Sequence, residues 1–174
     1  EQPPYSIFAR HIEHDVLPVA QRYGMGVLVW SPLNRGWLSG RYRRDHFDRA
    51  PESRAARGAA RAEWLAKIWD ESRPEVQRKL DVVEALAKLG EEIDATIAHI
   101  AIAFTLAHPA VTSAIIGPRT MEQLEDLLQA ADLRLDDGML DAIDDLVPPG
   151  SLIDEDDRGF DPWWFEPAAR RRPR

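Results

Sequence analysis

The sequence predicts an α/β fold with parallel strands. Two short apolar runs, Val27–Trp30 and Val111–Ile116, lie between segments whose apolar residues recur at helical spacing. Strands that alternate with helices are typical of parallel sheets. With 174 residues, 44% hydrophobic and 30% charged, the chain is long enough to form a globular core.

The first predicted helix runs from Ala9 to Tyr23, with Gly24 as its stop and Pro18 bending or interrupting it. The apolar run Val27–Trp30 follows. It is too short for a buried helix and ends at a Ser-Pro pair, so we interpret it as a strand buried on both faces.

A segment rich in glycine and arginine follows, from Leu33 to Arg61. Its composition is more typical of a long functional loop than of packed structure. A basic loop of this kind could fold over a phosphorylated ligand, and a solvated charged loop is the alternative interpretation.

Four further helices are predicted, and the first three begin at capping residues. Their ranges are Ser72–Gly90, Thr96–Phe104, Thr120–Ala131 and Asp136–Leu146. The strand Val111–Ile116 immediately precedes the third of them, and we expect it to be buried.

Residues 151–174 are predicted to form an extended tail, partly disordered after Pro167. The tail is first acidic, then aromatic at Trp163, Trp164 and Phe165, then basic. The aromatic residues could line an apolar pocket, or they could fasten the tail to the core.

Two complete strands, with a candidate end of a third before Pro3, cannot close a barrel or a doubly wound sheet. The sequence therefore predicts part of a larger fold.

The formal net charge of -8 argues against a nucleic-acid partner, because binding phosphates requires a basic face. The chain has no cysteine, which excludes disulfides and cysteine-ligated metals, and no apolar run approaches the roughly 20 residues of a membrane span. We expect a cytoplasmic protein whose partners are small molecules or proteins.

The candidate ligand site lies where the two strands end. After the second strand come Gly117, Arg119 and the start of the Thr120 helix, which together suit a phosphate. An ordinary strand-to-helix turn explains these residues equally well. The turn Trp30–Leu33 ends the other strand, and because ligands gather at the carboxyl ends of parallel strands, both turns would face one ligand.

The remaining titratable residues favour no other site. His11 and His14 are spaced for metal ligation but lack a third ligand, and His99 is interpreted as a helix-surface residue. No nucleophilic triad or carboxylate pair is recognisable.

The two turns and several other motifs together resemble the aldo-keto reductase family. The resemblance extends from Glu1 to about Gly150 and is closest to the bacterial branch related to potassium-channel β subunits. It is carried by Gln2-Pro3-Pro4-Tyr5, Trp30-Ser31-Pro32-Leu33 with Gly36, Ser39-Gly40-Arg41-Tyr42, Ser53-Arg54, Ile116-Gly117-Pro118-Arg119 with Gln123-Leu124, and Pro149-Gly150.

This resemblance implies that residues 1–150 are the C-terminal portion of a (β/α)8 TIM barrel, starting at the end of the sixth strand. It also implies NADPH as cofactor and a small carbonyl compound as substrate. Self-association through exposed barrel faces is a further expectation.

By the same resemblance, Gln2 would bind the nicotinamide carboxamide and Trp30 would stack on the nicotinamide ring. The pyrophosphate would contact Ser31, Pro32 and Leu33, with Arg41 and Arg54 closing over it. The 2′-phosphate end would be held by Gly117, Arg119 and Gln123, and the adenine by Asp126. Leu127 stands where the family often has Asn, and Asp126 where Glu is more usual.

The resemblance places the family's catalytic Tyr, Lys, His and Asp in its N-terminal half. Tyr5, Tyr23 and Tyr42 do not match the tyrosine motif. We therefore expect NADPH-dependent reduction of aldehydes or ketones from the full-length protein and little or none from these 174 residues. The alternatives are a non-catalytic nicotinamide-binding regulatory subunit and an inert fragment.

Overall fold

The computed structural model describes residues 1–47, 66–159 and 166–171. Strands β1 (Leu28–Trp30) and β2 (Ser113–Ile115) pair in parallel, with Val29 opposite Ala114. Residues 1–5 run along the other edge of β1, where the amides of Leu28 and Trp30 donate to the carbonyls of Glu1 and Pro3. The predicted parallel strands are therefore present, together with the end of a third.

The prediction that both strands are buried on both faces is wrong. Val29 is fully buried, but its neighbour Leu28 is 43% exposed, and Ile115 of β2 is 41% exposed. The burial alternates because helices cover one face of the sheet, while the side chains on the other face are open to solvent in the part of the chain that the structure describes.

Five helices follow the predicted order. They are α1 (Val16–Arg22), α2 (Pro74–Ile93), α3 (Ile97–Ala107), α4 (Met121–Leu128) and α5 (Asp137–Leu146). A sixth, α6 (Pro167–Arg170), lies where an extended tail was predicted, and Pro167 favours it because proline suits the first turn of a helix. The side chains of Thr96, Thr120 and Asp136 each accept a hydrogen bond from the amide three residues on, as the capping pattern predicts for the two threonines.

Two details of α2 differ from the prediction. Ser72 does not cap the helix: its hydroxyl donates to Asp70, and the helix begins at Pro74 without a side-chain cap. Gly90 does not end it either, because the helix continues to Ile93. Gly90 is required for another reason, since a Cβ there would overlap the carbonyl oxygen of Ala95.

The prediction of one helix from Ala9 to Tyr23 is also wrong in its first half. The backbone before Asp15 bonds to a distant segment: Ala9 bridges to Leu152, and the Arg10 amide donates to the Ser151 carbonyl. Only a short 3-10 turn, His11–Glu13, precedes α1. Pro18 then lies near the start of α1, where a missing amide costs little.

The first part of the predicted loop is packed structure. Within Asn34–Ser39, which folds as 3-10 turns, Trp37 and Leu38 are fully buried. Tyr42 is 1% exposed and stacks against Trp37 and Phe47. Aromatic burial therefore outweighs the polar composition of the segment. Its remainder, from residue 48 to 61 and including Arg54, lies outside the described residues.

The core lies between the covered face of the sheet and helices α2, α3 and α5. Residues 151–159, which we predicted to begin the tail, fold back onto this body, and the Ile153 amide donates to the Phe8 carbonyl. The predicted aromatic residues Trp163, Trp164 and Phe165 lie outside the described ranges. In the described parts of the chain, no helix combines the length and apolarity that crossing a bilayer requires.

Candidate functional site

A cleft of about 490 Å³ opens at the carboxyl ends of β1 and β2. Nine of the eleven predicted cofactor residues line it: Trp30, Ser31, Pro32, Leu33, Arg41, Gly117, Arg119, Gln123 and Asp126. The structure therefore brings together two turns that are more than 80 residues apart in the sequence.

The remaining two predicted residues are not in the lining. Gln2 is exposed, and its backbone carbonyl accepts a hydrogen bond from the Trp30 indole N–H at 3.0 Å. The contact orients the Trp30 ring at the mouth of the cleft without using the Gln2 side chain. Arg54 lies outside the described residues.

The first wall of the cleft is a tight turn after β1 with left-handed backbone. Ser31, Asn34 and Arg35 have φ of 57°, 42° and 56°, and Gly36 has φ of 97°. Left-handed backbone costs a non-glycine residue roughly 1–2 kcal/mol. Strain of this kind concentrates at functional sites, and here it directs the turn along the cleft.

The second wall is the turn after β2 and the first turn of α4. A Cβ on Gly117 would meet nothing within 4 Å, so the backbone is open to a ligand. The Gln123 side-chain oxygen accepts from the Arg119 amide at 2.9 Å, and the Thr120 hydroxyl accepts from the Gln123 amide at 3.2 Å. This leaves the exposed Arg119 side chain beside a helix N-terminus, an arrangement that attracts anions.

Asp126 is held by a histidine that the sequence interpretation assigned to the helix surface. The His99 side chain is only 13% exposed, and its Nε2 lies 3.0 Å from Asp126 Oδ1 and 2.9 Å from the Asp126 carbonyl oxygen. His99 thereby fixes the carboxylate at one end of the cleft. The two residues are 27 positions apart, and no local pattern links them.

Arg35 lines the cleft and was missed by sequence reasoning. Its Nη2 donates to the Asp156 carbonyl at 3.2 Å, and its Nε lies 3.9 Å from Asp157 Oδ1. The sequence did contain a signal for this residue, because Arg35 lies between Leu33 and Gly36 of the motif that follows β1.

Titratable groups beside the cleft suggest no complete acid–base set among the described residues. The Tyr5 hydroxyl donates to Glu13 at 2.6 Å, and burial, reinforced by the Glu13 charge, raises the Tyr5 pKa above its ordinary value. Tyr42 belongs to the buried aromatic group of Trp37 and Phe47. Within the described ranges no group of three or more His, Asp or Glu residues could hold a metal.

A parallel α/β framework with an anion-attracting cleft at its strand ends is typical of proteins that bind nucleotides. Residues 1–148 match the profile of the aldo/keto reductase family, and the chain belongs to that family. Family members bind a nicotinamide cofactor.

Several curated proteins are similar to this chain. An uncharacterized oxidoreductase, YrpG of Bacillus subtilis, is 37% identical over 157 residues, which are 89% of this chain and 42% of that protein. A putative voltage-gated potassium channel subunit beta of Schizosaccharomyces pombe is 34% identical over 84% of this chain and 41% of its own. An NADH-specific methylglyoxal reductase of Escherichia coli is 30% identical over 78% of this chain and 38% of its own.

The chain thus spans about two-fifths of the length of the curated relatives that it matches. Among solved structures, the glycerol dehydrogenase AKR11B4 from Gluconobacter oxydans superposes with a TM-score of 0.66 at 26% identity. That match covers 83% of this chain and 41% of the other.

Proposed function

We propose that the chain supplies the cofactor site of an NADPH-dependent oxidoreductase that reduces small aldehydes or ketones. In this proposal it is the C-terminal portion of a (β/α)8 barrel, beginning at the end of the sixth strand. The single observation that carries the proposal is the convergence of Trp30–Leu33 and Gly117–Arg119 on one cleft at the strand ends.

The residues of this chain fit the cofactor at both ends. The open backbone at Gly117, with the exposed Arg119 guanidinium and the α4 N-terminus, suits a 2′-phosphate. The Trp30 ring, oriented by its bond to Gln2, offers a stacking surface for the nicotinamide.

Between these ends, the turn Ser31–Leu33 and Arg41 would lie along the pyrophosphate. His99 would hold Asp126 toward the adenine. When bound, the cofactor would supply the hydride, and the residues of this chain bind it, orient it and exclude water from it.

Among the described residues we infer no proton donor for the cleft, and the hydroxyl of the buried Tyr5 is committed to Glu13. We therefore propose that the 174 residues by themselves are catalytically inert or nearly so. The test is a carbonyl-dependent loss of NADPH absorbance with the purified chain, and a rate above that of buffer would contradict this part of the proposal.

The second candidate is a nicotinamide-binding regulatory subunit without turnover. It is favoured by the 34% identity to a protein named as a potassium channel subunit beta. A longer protein that contains these residues distinguishes the two candidates: carbonyl reduction supports the enzyme, and tight NADPH binding without turnover supports the regulatory subunit.

The cofactor assignment is tested by Arg119→Ala. A hydrogen bond to a charged group contributes about 1.5–3 kcal/mol, so NADPH affinity should fall about tenfold or more, while NADH, which lacks the 2′-phosphate, should bind as before. Quenching of tryptophan fluorescence reports both affinities, since Trp30 lies in the cleft. The matched control is Arg22→Ala in α1, outside the cleft lining. Equal losses for both nucleotides would refute the phosphate assignment.

A further inference from the structure

Charged side chains are buried between α2 and residues 154–157, outside the cleft. Lys79 of α2 is 0% exposed, and its Nζ lies 2.6 Å from Asp157 Oδ2 and 3.5 Å from Asp154 Oδ2. Both aspartate side chains are 1% exposed. The Lys79 Nζ also lies 5.8 Å from the centre of the Trp37 ring. The cofactor contacts proposed above use none of these three charged groups.

A buried ion pair is a poor way to gain stability, because desolvation offsets the attraction, and apolar side chains of similar volume would hold the segment as firmly. A buried ion pair does restrict the relative position of the two segments that carry it, because the charges attract strongly only when they are close together. Lys79 and the two aspartates therefore fix where residues 154–157 lie on the body of the protein.

The segment fixed in this way contacts the cleft wall at Arg35. The Arg35 guanidinium donates to the Asp156 carbonyl at 3.2 Å and lies 3.9 Å from the same Asp157 carboxylate that pairs with Lys79. Arg35 lines the cleft and is held in left-handed backbone. Asp157 thus stands between a buried lysine and a lining arginine.

The segment also contacts Trp30. A Cβ on Gly159 would lie 3.5 Å from Trp30 Cζ2 and 3.4 Å from Pro4 Cγ, so the Gly159 backbone packs against both. Asp157 and Trp30 both line a small cavity of about 10 Å³, which has room for about one water molecule. A shift of residues 154–159 would therefore change the packing of the Trp30 ring.

We propose that the ion-pair cluster of Lys79, Asp154 and Asp157 positions the nicotinamide end of the cofactor cleft by holding residues 154–159 against Arg35 and Trp30. Lys79 is a positioning residue in this scheme and touches no ligand. The inference rests on the proposed nucleotide site and adds that residues distant from it set the geometry of one of its ends.

The test compares NADPH with 2′,5′-ADP, which carries the 2′-phosphate end without the nicotinamide. The double variant Lys79→Met/Asp157→Leu removes both members of the closest pair together, while Asp154 keeps Arg73 and Arg35 keeps the Asp156 carbonyl. We expect its NADPH affinity to fall about tenfold and its 2′,5′-ADP affinity to stay within about twofold of the unmodified protein. Lys88→Met, an exposed lysine of the same helix, should change neither affinity.

A second variant leaves the cluster intact. Gly159→Ala strains the backbone of the segment beside Trp30 and Pro4, because alanine disfavours a φ of 118°, and the methyl itself would lie at ordinary contact distance of 3.4–3.5 Å from both. It should show the same selective loss of NADPH affinity. Equal losses for both ligands, or no loss for either, in these variants would overturn the inference, as would a loss in Lys88→Met. If the unmodified protein binds neither ligand, the proposed function itself is refuted, and the inference with it.

Discussion

Replacing Lys79 alone with methionine leaves two buried carboxylates without their shared cation. Burial raises the pKa of Asp157 above its ordinary value, and Lys79 is the main influence that opposes this rise. In the unmodified protein the pKa of Asp154 lies below its ordinary value, because Lys79, the Asp156 amide and Arg73 together outweigh the effect of burial. In the variant Asp154 keeps Arg73, at 3.3 Å, and the Asp156 amide. In the Lys79→Met variant we therefore expect Asp157 to take up a proton on folding.

Protonation sets an upper limit on the loss of stability. An unperturbed aspartate has a pKa of about 3.9, and holding it protonated costs about 1.36 kcal/mol for each pH unit above that value. At pH 7 the limit is about 4 kcal/mol, which falls within the range of about 3–5 kcal/mol typical of breaking a buried pair. At pH 5.5 the same reasoning gives about 2 kcal/mol.

The sign follows from linkage. In the variant the folded-state pKa of Asp157 lies above the unfolded value, so the folded state binds more protons and its stability falls as pH rises. Urea denaturation followed by circular dichroism at pH 5.5 and pH 7 measures the loss at each pH, with Lys88→Met as the control. A loss below about 1 kcal/mol at pH 7, or one that does not change with pH, would show that the pair is not desolvated as described.

Two other residues give independent tests of the fold. Gly90→Ala should lower the free energy of unfolding by about 1–3 kcal/mol because its methyl overlaps the Ala95 carbonyl, whereas helix propensity alone would raise it by about 1 kcal/mol; an unchanged or higher melting temperature would contradict the overlap. Glu84 accepts from Arg43 at 2.6 Å, and this bond, with the Arg44 amide, lowers the Glu84 pKa. A carboxyl group whose pKa is lowered by folding stabilises the fold at pH values above its unfolded-state pKa of about 4.3, and this stabilisation is lost as the pH falls through the folded-state pKa. At pH 6 the unmodified protein should therefore be more stable than Glu84→Gln by about 1 kcal/mol or less. This difference should disappear between pH 5 and pH 3. An advantage that persists at pH 3 would exclude the ion pair as its source.

The elements that could be predicted from the sequence are those fixed by local hydrogen bonds. Thr96, Thr120 and Asp136 bond to amides three residues away, so the start of each helix is encoded beside it. The site at the strand ends follows from the same local elements, because parallel strands place their following turns together.

The errors arose where a segment bonds to distant residues. Residues 9–13 have helical spacing of apolar side chains, yet Ala9 and Arg10 pair with residues 151 and 152, and no pattern within the segment indicates this. Likewise, Lys79 lies on an otherwise apolar face of α2, and its partners are more than 70 residues further along the chain. His99 was misassigned for the same reason, since Asp126 reaches it only in the folded chain.

This difference divides the cleft into two ends with different physical origins. At the Arg119 end, Thr120 and Gln123 organise the turn through bonds that span three or four residues, so that end depends on little beyond α4. At the Trp30 end, the indole is held by residues 1–5 on one side and by residues 154–159 on the other, which only the complete tertiary fold brings together. Contacts between distant segments change when one of those segments shifts, whereas bonds within a single turn of the chain do not depend on such a shift. Substitutions far from the cleft should therefore alter the nicotinamide end before they alter the phosphate end. For this reason 2′,5′-ADP, which occupies only the phosphate end, is the appropriate reference ligand for NADPH, which spans both ends.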